Sequence, residues 1–121
     1  MAGFITDIEE RTLANEYFRE VLFTAERMQL VVMALQPGEE IGAETHDDVD
    51  QFIRVEAGTG KAILDGEETA LTDGSVVVIP AGTAHNIVNT SAAEPLKLYT
   101  IYSPPQHPDG TVHRTRADAV D

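Results

Sequence analysis

The chain has 121 residues, 42% hydrophobic and 6% aromatic, with no cysteine. That length supports one domain with an aliphatic core and is too short for two, and the missing cysteines exclude disulfides and thiolate metal sites. A formal charge of −13, from 8 basic and 21 acidic residues, argues against nucleic acid and anionic membrane surfaces, which need a basic footprint.

No apolar stretch approaches the roughly 20 residues of a membrane-spanning helix. The opening MAGFITDIEE has neither a basic segment nor a long apolar one, so a cytoplasmic location is expected. Thr6-Asp7-Ile8-Glu9 fits a capping box for one helical turn, and no long amphipathic helix is expected anywhere. β-rich runs then occupy 17–24, 29–35, 51–58, 61–64, 75–80, 85–90 and 96–103. Turn signals separate them, among them Pro37-Gly38, Asp65-Gly66, Asp73-Gly74 and Pro80-Ala81-Gly82. Many short strands with tight turns predict an all-β antiparallel sandwich or barrel.

Two runs, LVVMAL (30–35) and VVVI (76–79), are apolar without alternation. Such strands are expected to be buried on both faces. In a small barrel one face fills the interior and the other must meet something else, so a homodimer is expected. Residues 1–27 form an N-terminal extension able to lay a strand on a partner, residues 28–103 the barrel, and 104–121 a polar tail. The tail reads as a surface segment dispensable for the fold, with His107 and His113 as candidates to cover a pocket mouth.

Two patterns carry chemistry. From Gly74 to Asn89 the chain reads G-x5-P-x-G-x2-H-x3-N, met by Gly74, Pro80, Gly82, His85 and Asn89. From Gly38 to Gly58 the spacing is G-x5-E-x-H-x4-Q-x6-G, through Glu44, His46 and Gln51. These patterns resemble the two signatures of the cupin superfamily, over about residues 28–103. The second signature is complete. The first keeps its spacing, with Glu44 where the family usually has histidine and Gln51 where it usually has glutamate. The resemblance implies a single-domain cupin, a double-stranded β-helix of the jelly-roll type, with a divalent metal at its centre.

Residues i and i+2 of a strand share a face, so Glu44 and His46 are expected to look into the barrel together. Gln51 opens the next strand and His85 follows Pro80, so the candidate metal ligands are Glu44, His46, Gln51 and His85. Two imidazoles, a carboxylate and an amide oxygen suit one Zn, Fe, Mn, Co or Ni ion. One carboxylate leaves the occupied site at about +1, the charge of the usual three-histidine, one-glutamate cupin centre. Gln51 reads either as fourth ligand or as a group orienting Glu44.

Asp47, Asp48 and Asp50 read as a solvated turn, Asn89 as a structural turn residue, and Arg54 as a surface or interface residue. Met28 and Met33 read as core or pocket wall. Tyr99 and Tyr102 have opposite parity, so one of them is expected to line the pocket. The implied function is an enzyme acting on a small oxygen-rich metabolite by Lewis-acid isomerase or lyase chemistry. The rival readings are a non-haem iron dioxygenase and a non-catalytic binder of sugars or similar small ligands.

Overall fold

In the computed structural model, which describes residues 3–119, the chain opens with a seven-residue helix, α1 (Ile8–Ala14). Its N-cap is Asp7, not Thr6: the carboxylate accepts from the Glu10 amide at 3.0 Å. The strands are β1 (Arg19–Thr24), β2 (Gln29–Leu35), β3 (Asp50–Ala57), β4 (Gly60–Leu64), β5 (Glu67–Leu71), β6 (Val76–Ile79), β7 (His85–Asn89), β8 (Leu96–Ser103) and β9 (Val112–His113). They form two antiparallel sheets, ordered β6-β3-β8-β2-β1-β9 and β5-β4-β7. Bridges from Glu40 to Val88 and from Glu44 to His85 add a further, irregular edge to the smaller sheet beside β7. Burial alternates along β3, β7 and β8. Ile53, Val55, Ile87, Leu96 and Leu98 point inward and join Val31, Met33 and Leu35 of β2 in one core between the sheets. This is the expected all-β jelly-roll architecture.

All seven expected runs form strands. The two that escaped notice are β5 and β9. Along β5, Glu67 to Ala70 are exposed and only Leu71 is buried, so this edge strand has no apolar pattern to read. β9 has two residues and exists because it pairs with β1.

Several expectations change. β6 is not buried on both faces: Val77 and Ile79 face the core, but Val76 and Val78 are 50% and 61% exposed. β2 is buried on both faces within one chain. Helix α1 packs on β2, β3 and β8, and Lys97, on the outer side of β8, donates to the Leu13 carbonyl at 2.6 Å. The strand in the N-terminal extension forms, but it lies on the chain's own β2, with β9 on its other edge. Met33 is fully buried, whereas Met28 is 44% exposed.

The tail is part of the fold. Gln29 is fully buried in the barrel. Its side-chain oxygen accepts from the Gln106 and His107 amides, and its nitrogen donates to the His107 carbonyl at 2.7 Å and to Thr24 Oγ1. Farther on, Phe18 donates to the Arg114 carbonyl, the Arg116 guanidinium lies over the Phe18 ring, and Ala119 is buried in the core. A tail dispensable for the fold does not fit these contacts.

Candidate metal centre

The two patterned segments meet through backbone pairing. Glu44 N donates to His85 O and His85 N to Glu44 O, each at 2.9 Å, which sets the two residues directly opposite each other. Directly opposed residues of an antiparallel pair present side chains to one face, and His46, two residues on, returns to it. The turn before β7 is tied to the same place. Gly82, at φ +86°, adopts a backbone that residues with a Cβ rarely take and donates its N–H to the His46 carbonyl at 2.8 Å. Gly58, which closes the first pattern, has φ +96°, and a Cβ there would lie 2.5 Å from the Pro95 carbonyl oxygen.

The result is a cluster in which one ligand atom from each of Glu44, His46 and His85 lies within 4.8 Å of the others. His46 Nε2 is 4.0 Å from Glu44 Oε1, and the two imidazole centroids are 5.1 Å apart. The Nδ1 of His85 is 2.9 Å from the Thr83 carbonyl oxygen. A carbonyl only accepts, so this bond puts the proton on Nδ1 and leaves the Nε2 lone pair for a metal. Burial lowers the His46 pKa below its usual value; Glu44 opposes that shift, and His85 and Arg19 add to it. His46 is therefore biased toward the neutral form that binds metals.

Gln51, the second residue of β3, pairs with Tyr102 and is buried on the inner face. Its Nε2 donates to Thr100 Oγ1 at 3.0 Å, which fixes the amide's orientation. Its Oε1 is buried with no hydrogen-bond partner among the described residues. A buried carbonyl oxygen without a donor is costly. A cation would satisfy it, and the two-nitrogen, two-oxygen donor set fits a first-row divalent ion.

Of the two tyrosines it is Tyr102 that lines the site. Its ring lies edge-on to His46 at 6.3 Å and to His107 at 5.1 Å. Burial pushes its phenol up to about 12, with the neighbouring Glu44 carboxylate raising it further and Arg19 and a hydrogen bond with Thr100 opposing. Tyr99 sits on the outer face against Phe52, and Arg54 is on that face too, ion-paired with Glu56. Asp47, Asp48 and Asp50 are exposed, with Asp50 accepting from the Ala81 amide. Asn89 spans the Leu35 and Glu94 carbonyls and accepts from the Ser91 amide, the structural role expected of it.

Two buried polar residues, Arg19 and Gln29, were not foreseen as important. Arg19 had a readable signal: in REVLFT it alternates with Val21 onto the inward face. Gln29, at the head of an apolar run, offered none.

Fold and site together define a small double-stranded β-helix with a histidine- and carboxylate-lined centre. A family model described as Cupin domain matches residues 31–102; the chain belongs to the cupin family. It is 46% identical to YrkC of Bacillus subtilis (strain 168), described as an uncharacterized protein, over 97% of this chain and 66% of that one. It is likewise 46% identical to protein L612 of Acanthamoeba polyphaga mimivirus, also described as uncharacterized, over 90% of this chain and 70% of that one. The chain thus spans about two thirds of the length of these two relatives. The crystal structure of BH2720 from Bacillus halodurans superposes with a TM-score of 0.92 at 45% identity, covering 95% of this chain and 91% of the other. Among the described residues no helix is long and apolar enough to cross a membrane.

Proposed function

We propose that this chain is a metal-dependent enzyme in which Glu44, His46 and His85 hold one divalent ion, with Gln51 as fourth ligand, and which isomerises or eliminates on a small oxygen-rich metabolite. The observation that carries this reading is the convergence of three ligand atoms within 4.8 Å; the buried, unpartnered amide oxygen of Gln51, a residue paired with Tyr102 on the inner face, supports it. A divalent ion held there supplies Lewis acidity toward a carbonyl or hydroxyl oxygen.

The chain's own residues supply the rest. The bond from His85 to the Thr83 carbonyl keeps that ring in one tautomer and orientation. Tyr102, protonated at neutral pH and packed against His46, is a hydrogen-bond donor for a substrate oxygen. Ile79, paired with Gln51, and Ile53 and Ile87, two residues along their strands from Gln51 and His85 respectively, are buried and line one side with apolar surface.

A second reading rests on the same cluster: two histidines and one carboxylate are the inventory of a non-haem iron oxygenase. Elemental analysis of the purified protein, followed by dioxygen uptake with hydroxy-carbonyl compounds, separates the two. One zinc, manganese, cobalt or nickel per chain without oxygen uptake supports the isomerase or lyase reading, and iron with uptake supports the oxygenase. Full metal occupancy in a His46→Ala, His85→Ala double variant sinks both.

A further inference from the structure

His107, in the C-terminal tail, reaches the candidate centre through Tyr102, and the reading above gives it no role. The Tyr102 side chain is buried. Its ring meets two imidazoles, that of His46 at a centroid distance of 6.3 Å and 81° and that of His107 at 5.1 Å and 83°. Both contacts have the edge-to-face geometry that aromatic pairs prefer.

The segment that carries His107 runs from β8 to β9 and belongs to neither strand. Three hydrogen bonds to Gln29 hold it. Gln29 Oε1 accepts from the Gln106 and His107 amides at 3.2 and 3.0 Å, and Gln29 Nε2 donates to the His107 carbonyl at 2.7 Å. Gln29 is itself the cross-strand partner of Tyr102 on β2, as Gln51 is on β3. Directly paired residues share a face of the sheet. One row of the inner face therefore carries, side by side, the clamp on the tail, the phenol and the candidate fourth ligand. The tail cannot shift relative to Tyr102 without breaking the Gln29 bonds.

We propose that His107 is a positioning residue of this centre: its ring, held in place by Gln29, fixes the Tyr102 ring so that the phenol donates to an oxygen of a molecule bound at the Glu44, His46 and His85 cluster. This rests on the metal reading above and adds the C-terminal tail to the site. The physical reason is the geometry of a tyrosine. Its hydroxyl lies on the axis of the ring, so the direction of the donor is set wherever the ring is set. His46 packs on the ring but belongs to the ligand cluster, so the contact independent of the ion is that of His107. A donor held ready in this way does not have to be ordered when the ligand arrives.

Glycolate, with two adjacent oxygen groups, is a suitable probe, titrated into the cobalt(II)-loaded protein and followed by the visible absorption of the ion. Tyr102→Phe removes the donor and should weaken glycolate about fivefold, the order of one neutral hydrogen bond. His107→Ala keeps the phenol but frees its ring, and should cost about the same. In the Tyr102→Phe background the His107→Ala change should cost less than about twofold, because both substitutions act on one hydrogen bond. His107→Phe restores the ring contact and should bind glycolate within about twofold of wild type. Cobalt uptake should stay at one ion per chain throughout. His107→Leu replaces the alanine variant in the cycle if the latter does not fold. A His107 loss that persists in full in the Tyr102→Phe background overturns the proposal, since His107 then acts without Tyr102. So does unchanged affinity in either single variant, and so does a His107→Phe protein as weak as His107→Ala, which makes the imidazole nitrogens and not the ring the part that matters. Failure of wild type to take up cobalt or any other divalent ion overturns the metal reading and this proposal with it, whereas cobalt uptake without a glycolate response overturns the proposal alone.

Discussion

Gln51→Leu should act in opposite directions on the metal-free protein and on metal binding. In the metal-free protein the substitution removes a buried acceptor without a donor, which costs about 1–3 kcal/mol. It also removes one hydrogen bond to Thr100, worth about 1 kcal/mol. Thr100 keeps its hydrogen bond with Tyr102, so the loss stops there. Leucine is close in size, and its apolar surface suits a site bordered by Ile53 and Ile79. The net expectation is a gain of about 1 kcal/mol in unfolding free energy, seen as a rise of about 4 °C in melting temperature for a domain of this size. Metal affinity should fall about 10- to 100-fold. At a metal concentration 100 times the wild-type Kd, binding stabilises wild type by about 2.7 kcal/mol, but a variant weakened 100-fold by only about 0.4 kcal/mol. The order of melting temperatures should therefore reverse on adding metal. Differential scanning calorimetry with and without metal reads both arms. A metal-free Gln51→Leu protein destabilised by more than 1 kcal/mol shows that the oxygen is not an unsatisfied burden. Unchanged metal affinity removes Gln51 from the ligand set.

Metal affinity should fall with acid, because His46 must be neutral to bind. Its folded pKa is lowered, so the unfolded chain binds the extra proton first, and the metal-free fold should also lose stability as pH drops from about 6.5 toward the folded value; a flat metal-free profile between pH 7 and 5 contradicts this. Gln29→Leu breaks four side-chain hydrogen bonds, three of which tie the tail to β2, and should cost about 2–3 kcal/mol in urea unfolding, while a variant within 0.5 kcal/mol of wild type would return the tail to the status of a loose appendage. A homodimer is expected to form through the outer face of the large sheet, where Val76 and Val78 are exposed beside Phe52. Light scattering should then find a dimer that Val78→Glu converts to monomer, and a monomeric wild type at micromolar concentration refutes it.

The barrel and the convergence of Glu44, His46 and His85 were legible in the sequence because they depend on short-range regularities. Strand parity puts Glu44 and His46 on one face, and Pro80 and Gly82 end one strand and begin the next at fixed spacing. The two patterns then needed only one backbone pairing, Glu44 with His85, to converge. What only the tertiary structure decided were matters of which face a distant element covers. VVVI reads as buried on both sides, yet β6 is a sheet edge and half of it faces outward. Met28 reads as core and lies exposed. The tail reads as polar and dispensable, because its anchor is Gln29, 78 positions away from His107. Arg19, on a strand outside the patterned segments, is buried with no carboxylate ion-paired to it among the described residues. Local propensity and spacing act over a few residues, whereas the cost of burying a charge or an amide is set by neighbours that the chain brings from elsewhere.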